Sequence, residues 1–185
     1  MTKQNQTYHF YSVLLLNTIL LILTVMSCNS KTTVNTTNDK NEIYPQIPDF
    51  SLNLIDGTNI TKSDLTKQQT PYFFHFFSSS CPTCKSELME LKNVYESKKY
   101  SVTVVAININ PMISNNHLKT FKKKLELPFN IAEFNSDLMT QLSITERSTK
   151  IAVDISGNII YRDSFGRGNY TQWIELFEKL DTSNS

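Results

Sequence analysis

Two cysteines stand three positions apart in the segment Cys81-Pro82-Thr83-Cys84, where an apolar run gives way to a helical pattern. One turn of helix brings two sulfur atoms at this spacing within disulfide distance. Unpaired N–H groups and the dipole at a helix start stabilise a thiolate, and proline suits the first helical position. The pattern predicts Cys81 as the nucleophile and Cys84 as the inward-facing thiol that resolves a mixed disulfide.

The same cysteine pair is compatible with two other roles. Cysteines at this spacing also bind zinc or half of an iron–sulfur cluster, and a zinc site requires four ligands. With Cys28 assigned below to another role, the remaining soft ligands are the three histidines, His9, His75 and His117. A metal site and a purely structural disulfide are therefore the alternatives to redox exchange.

The elements that must position the dithiol alternate between strand and helix. Residues 71–77 read PYFFHFF, an almost continuous apolar run that predicts a central strand covered on both faces. A hairpin over residues 49–60 and a capped single turn at 61–64 precede it. The patterns after it predict a helix at 82–98, a strand at 101–109, a helix at 114–125, a short strand at 129–132, a short helix at 136–142, a hairpin at 150–163 and a helix at 169–180. This order implies an α/β fold whose central mixed sheet has helices on both faces and an extra N-terminal hairpin.

Residues 44–182 resemble the exported TlpA/ResA-like family of the thioredoxin fold. The resemblance rests on Pro48-Asp49-Phe50, on the strand and turn from Phe73 to Cys84, and on Val153-Asp154-Ile155-Ser156-Gly157. It implies a thioredoxin-like fold and a thiol–disulfide oxidoreductase of the bacterial cell envelope, with protein disulfides or dithiols as substrates and no cofactor. Anchored relatives commonly act as reductases fed by a membrane electron donor, so we expect electrons to flow in that direction.

The resemblance also singles out a histidine behind the cysteines. His75 lies six residues before Cys81, where thioredoxin-like proteins carry a buried acid or amide. A histidine there could accept the Cys84 proton during resolution or, when cationic, stabilise a thiolate. The alternative is a neutral core histidine that is hydrogen-bonded to the backbone.

A second departure from the family lies on the substrate side of the site. Ser148, six residues before Asp154, occupies the position at which the family has a cis-proline facing the disulfide. Because a non-proline cis bond costs ~2.5–4 kcal/mol, we expect the Arg147–Ser148 bond to be trans. By the same resemblance, the candidate substrate-binding residues are Pro82, Thr83, Arg147 and Ser148.

Two other functions compete with this interpretation. A peroxiredoxin-like thiol peroxidase shares much of the fold, but its pattern has a proline and a threonine where this chain has Phe74 and Ser78. A copper- or haem-handling binding protein would use Cys81, Cys84 and His75, and the absence of a cis-proline favours it because that proline shields the sulfurs from metals.

The N-terminal residues predict export. Residues 10–25 read FYSVLLLNTILLILTV, which is too short and too interrupted for a spanning helix and is typical of a signal peptide. Leu23-Thr24-Val25-Met26-Ser27-Cys28 resembles a bacterial lipobox, so we expect a lipoprotein-type signal at 1–27 and lipidation of Cys28. Residues 28–42 contain little apolar surface and predict a polar tether, which leaves 43–182 as the thioredoxin-like domain on the outer side of a membrane.

Composition agrees with this division. The 185 residues carry 18 basic and 17 acidic side chains, and Lys3 is the only one of these that removal of residues 1–27 takes away. The remainder is formally neutral, so no basic field for nucleic acid is present and no nucleic-acid partner is expected.

Overall fold

The computed structural model describes residues 45–97, 99–164, 166 and 168–182. These residues belong to a compact unit that spans 43–185. The signal segment 1–27, the lipidation candidate Cys28 and the tether 28–42 lie outside the described residues, so the division into signal, tether and domain stays a prediction. Within the described ranges, no helix has the length and the apolar character required to cross a membrane.

In the part of the chain that the structure describes, two sheets and five helices follow the predicted order. A short antiparallel pair, β1 and β2, opens the domain and forms a sheet of its own. The strands are β1 (Ser51–Asn53), β2 (Asn59–Thr61), β3 (Tyr72–Phe77), β4 (Thr103–Asn108), β5 (Asn130–Ala132), β6 (Thr149–Val153) and β7 (Ile159–Asp163), and the helices are α1 (Lys62–Gln68), α2 (Pro82–Glu96), α3 (Asn115–Leu125), α4 (Ser136–Gln141) and α5 (Tyr170–Thr182).

The main sheet has the strand order β5-β4-β3-β6-β7, which places β3 at its centre as predicted. Strands β3, β4 and β5 are parallel, whereas β6 runs antiparallel to β3 and β7 antiparallel to β6. The mixed sheet and the extra N-terminal hairpin confirm the predicted fold class. One local difference is that α1 is a seven-residue helix rather than a single turn. The start of α1 is capped by a hydrogen bond that the Thr61 N–H donates to Asp64 Oδ2 at 2.8 Å.

Side chains of β3 alternate between two hydrophobic cores. Tyr72, Phe74 and Phe76 pack into the core that also contains residues of β1, β2, α1 and α4. Phe73 and Phe77 enter the opposite core, with residues of α2, α3 and α5. By the two-residue period of a strand, His75 also faces this second core, which makes it the single polar residue on an otherwise aromatic face of β3.

Candidate redox site

The dithiol lies where β3 ends and α2 begins. Cys81 is the N-cap residue of α2, and Pro82 occupies the first turn. The Cys81 Sγ accepts a hydrogen bond from the Cys84 backbone N–H at 3.1 Å. One of the N–H groups that the helix start leaves without a helical partner is therefore directed at this sulfur.

The two sulfur atoms have different surroundings. Both cysteines are free; Cys84 has no exposed surface, and Cys81 is 2% exposed beside the exposed residues Ser80 and Pro82. Burial, and secondarily a hydrogen bond with Cys81, raise the pKa of the Cys84 thiol to about 12. Cys84 is thus held as a thiol at neutral pH, and of the two sulfurs Cys81 keeps the small exposed surface.

His75 is paired with an acid from α2, the helix that begins at the dithiol. Its Nε2 lies 3.0 Å from Glu87 Oε2, and both side chains are almost fully buried. The other ring nitrogen, Nδ1, is buried without a hydrogen-bond partner among the described residues. His75 is therefore bonded to a carboxylate rather than to the backbone, and a neutral ring that donates from Nε2 leaves the Nδ1 lone pair free.

Glu87 is the centre of a buried polar network. Its Oε2 accepts a hydrogen bond from the Ser148 hydroxyl, and its Oε1 accepts one from the Gly168 N–H at 2.8 Å. The Nζ atom of Lys150 lies 3.4 Å from the same Oε1. Groups from β3, β6 and the loop before α5 therefore converge on one carboxylate of α2.

The surroundings of His75 and Glu87 lower the pKa of both groups. Burial lowers the pKa of His75 and outweighs the opposing hydrogen bond and charge of Glu87. Burial opposes ionisation of Glu87 as well, but hydrogen bonds from His75, Ser148 and Gly168 together lower the pKa of its carboxyl. The pair at neutral pH is a neutral imidazole beside a carboxylate.

The substrate-side candidates divide between the surface and the interior. Among the described residues no peptide bond is cis, so the Arg147–Ser148 bond is trans as predicted. Ser148 is buried and has a φ of 66°, its N–H donates to Phe76 O at 2.7 Å, and its hydroxyl turns inward to Glu87. Arg147 is exposed and lines a groove of about 620 Å³ together with Ile109, Thr145 and Glu146.

The remaining candidate residues lie in the first turn of α2 and at the start of α3. Pro82 is exposed and Thr83 half-buried in the first turn of α2. His117 lies at the start of α3, where its Nε2 is 3.1 Å from Ser79 Oγ. Within the described ranges no three His, Cys, Asp or Glu side chains come together as a set that could hold a metal ion.

The sequence interpretation missed Glu87 and Lys150. A signal for Glu87 exists in the sequence, since it lies three residues after the inward-facing Cys84 and one before Leu88, on the same helix face. Lys150 is opposite His75 in the register of β3 and β6, a pairing that requires the sheet.

A sequence model of the AhpC/TSA family matches residues 43–162. Several solved structures share the fold. A thiol:disulfide interchange protein of the thioredoxin family from Chlorobium tepidum TLS has a TM-score of 0.66 at 21% identity, with 75% of this chain and 97% of that chain covered. StoA from Bacillus subtilis has a TM-score of 0.58 at 26% identity, with 70% and 96% covered. The thioredoxin domain of a thiol-disulfide oxidoreductase from Bacteroides vulgatus has a TM-score of 0.61 at 16% identity, with 72% and 96% covered. No curated protein matches the chain significantly.

Proposed function

The chain belongs to the AhpC/TSA family and has a thioredoxin-like fold, and from this premise we propose that it is a thiol–disulfide oxidoreductase of TlpA/ResA-like type. Its substrates are protein disulfides and dithiols, and Cys81 and Cys84 carry the electrons. The structural neighbours described as thiol–disulfide oxidoreductases and interchange proteins support this activity.

The single observation that carries the proposal is the asymmetry of the two sulfurs. Cys81 Sγ accepts the Cys84 N–H at the start of α2 and lies beside exposed residues, whereas Cys84 is fully buried with a raised pKa. A dithiol exchange needs one sulfur that reacts with a partner and a second that reacts only with the first. A structural disulfide has no need for this difference.

The reaction that follows transfers two electrons to the substrate. The Cys81 thiolate attacks one sulfur of a substrate disulfide, the S–S bond breaks, and the leaving substrate thiolate takes a proton from water. Cys84 then loses its proton and attacks Cys81 Sγ, which releases the second substrate thiolate. The products are a Cys81–Cys84 disulfide and a substrate dithiol, and the reverse sequence oxidises a substrate.

The second step needs a proton acceptor because a thiol with a pKa of about 12 is almost never ionised at neutral pH. His75 faces the same core as Cys84 and has an unpartnered Nδ1, and Glu87 lies one helical turn from Cys84. We assign the role of acceptor to the His75–Glu87 pair, in which Glu87 orients the ring through Nε2 and stabilises the imidazolium that forms.

The cellular setting is proposed from the sequence. The chain is exported by the signal at 1–27, is lipidated at Cys28, and is held on the outer side of a bacterial membrane by the tether 28–42. A membrane dithiol donor keeps Cys81 and Cys84 reduced, so that the chain acts as a reductase. The groove beside Arg147, together with Pro82 and Thr83, receives the substrate polypeptide.

The proposal is tested by trapping. In the full chain, Cys84→Ser removes the resolving thiol, so mixed disulfides with substrate proteins should accumulate through Cys81 and be identified by mass spectrometry after release with reductant. Cys81→Ser is the matched control, since it keeps the buried Cys84 and should trap nothing. A Cys84→Ser chain that traps no more protein than Cys81→Ser, with wild-type thiols inert to a model disulfide, would falsify the proposal.

A thiol peroxidase is the second candidate, because the matching family model is that of AhpC/TSA proteins. Peroxide would then oxidise Cys81 to a sulfenic acid, and Cys84 would condense with it to release water. A hydroperoxide consumption assay separates the two: a peroxidase consumes peroxide catalytically in the presence of a thiol donor, whereas a thiol–disulfide oxidoreductase reduces the model disulfide much faster.

A further inference from the structure

A buried lysine lies behind the redox site. Lys150 on β6 has no exposed surface, although lysine is among the residues least often found fully buried. Its Nζ lies 3.4 Å from Glu87 Oε1 and 3.1 Å from Asp163 Oδ2, and it donates to the Gly166 carbonyl at 3.3 Å. The ammonium is thus fully partnered, at a position where an apolar side chain would serve packing alone.

The charged and titratable groups around Lys150 come from every element that packs against it. His75 lies opposite it on β3, and Cys84 and Glu87 belong to α2. On β7, Asp163 is 39% exposed, and burial raises the pKa of the neighbouring Tyr161 to about 12, which keeps that phenol neutral.

We propose that Lys150 is a positioning residue of the dithiol reaction, which acts through Glu87 and His75 and sets the pH range in which His75 can take the Cys84 proton. This inference rests on the proposed function. The ammonium shares Glu87 with the imidazole, since one carboxylate oxygen faces Lys150 and the other faces His75.

The direction of the effect follows from the charges. A positive charge near the imidazole opposes its protonation, and the charge of Lys150 lowers the pKa of His75. With Lys150 present, His75 is therefore neutral and able to accept a proton at a lower pH. Without it, the pKa of His75 is higher, so the ring stays protonated, and unable to accept the Cys84 proton, up to a higher pH.

The test replaces Lys150 in the full-length chain with methionine, which keeps the length of the stem and removes the charge. We expect the NMR titration midpoint of His75 to rise by on the order of one pH unit. The midpoint of mixed-disulfide resolution, measured by stopped-flow release of a chromogenic thiol, should rise by the same amount. The rate of Cys81 alkylation should keep its wild-type pH profile.

Two further variants serve as controls. Lys150→Arg keeps the positive charge and should restore the wild-type midpoints. Lys92→Met removes a lysine of the same active-site helix that is paired with Glu126 at 3.3 Å, away from the network, and should leave both midpoints unchanged.

Asp163→Asn provides an independent measurement if Lys150→Met does not fold. Asp163 is half-exposed and is a counter-charge of Lys150, so its neutralisation should move the His75 midpoint downward, opposite to Lys150→Met. The proposal is overturned if Asp163→Asn leaves the midpoint unmoved, or if Lys150→Met slows resolution equally at every pH while His75 titrates as in the wild type. If the Cys84→Ser chain traps no mixed disulfide and the wild-type thiols are inert to a model disulfide, the proposed function fails, whereas the His75 titrations still report the electrostatic effect of Lys150.

Discussion

The buried thiol of Cys84 should react with an alkylating agent about a thousand times more slowly than a solvated thiol at neutral pH. Its pKa of about 12 compares with 9.0 for an unperturbed cysteine. At pH 7 the thiolate population therefore falls from ~10⁻² to ~10⁻⁵, and the thiolate is the reacting species. Burial acts in the same direction, because Cys84 has no exposed surface through which the reagent can reach it.

The assay uses reduced Cys28→Ser chain, so that only the dithiol reacts, with a short pulse of iodoacetamide and mass mapping of each cysteine between pH 6 and 11. A glutathione standard gives the rate of a solvated thiol. Alkylation of Cys84 should keep rising with pH up to the highest value measured. The Cys81→Ser/Cys28→Ser chain removes the hydrogen bond with Cys81 but keeps the burial, so Cys84 should remain slow. Alkylation of Cys84 within tenfold of the standard at pH 7, or a plateau below pH 10, would refute the reasoning.

Three other changes have defined outcomes. In Gly168→Ala the new Cβ would lie 1.7 Å from Trp173 Cζ2, so the loop must move and the residue 168 N–H loses its hydrogen bond to Glu87. We expect the free energy of unfolding, measured in urea, to fall by about 2–3 kcal/mol, and an unchanged urea midpoint would contradict this. Ser148→Pro should cost about 3 kcal/mol or more in the same assay, since Ser148 has a φ of 66° and donates its N–H to β3 at 2.7 Å; wild-type stability would show that this backbone is not required. The pKa values of Glu87 and His75 are both lowered on folding, so the unfolded chain binds more protons at acidic pH; stability should fall as the pH drops below about 6.5 and further below about 4.5, and a flat profile of urea midpoints from pH 7 to 4 would exclude this.

The local patterns of the sequence determined most of the secondary structure. The aromatic run of β3 has few ways to be accommodated other than as a central strand, and the structure places it there. The position of Cys81 at a helix start followed from Pro82, because proline fits the first turn and no later one. The trans bond before Ser148 followed from the cost of a non-proline cis peptide.

The network behind the dithiol was only partly accessible from the sequence. His75 was found because the resemblance assigns a function to its position, but its partner was not, although Glu87 lies on the same helix face as Cys84. Helical periodicity identifies the buried face of α2 from its apolar residues, such as Leu88. An acid beside them, such as Glu87, is therefore expected at the border of the solvent-exposed face rather than in the interior.

The sequence by itself determined the order of elements, the dithiol at a helix start and the histidine behind it, because each depends on residues within one or two turns of one another. Only the tertiary structure decided which charges share the interior. Lys150 is opposite His75 through the β3–β6 register, and its ammonium reaches Glu87 on a helix 63 residues earlier in the chain. No local pattern predicts the contact between Lys150 and Glu87, since a lysine in a strand is ordinarily solvated. The buried ammonium of Lys150 is stable only because two carboxylates and a carbonyl from separate elements surround it.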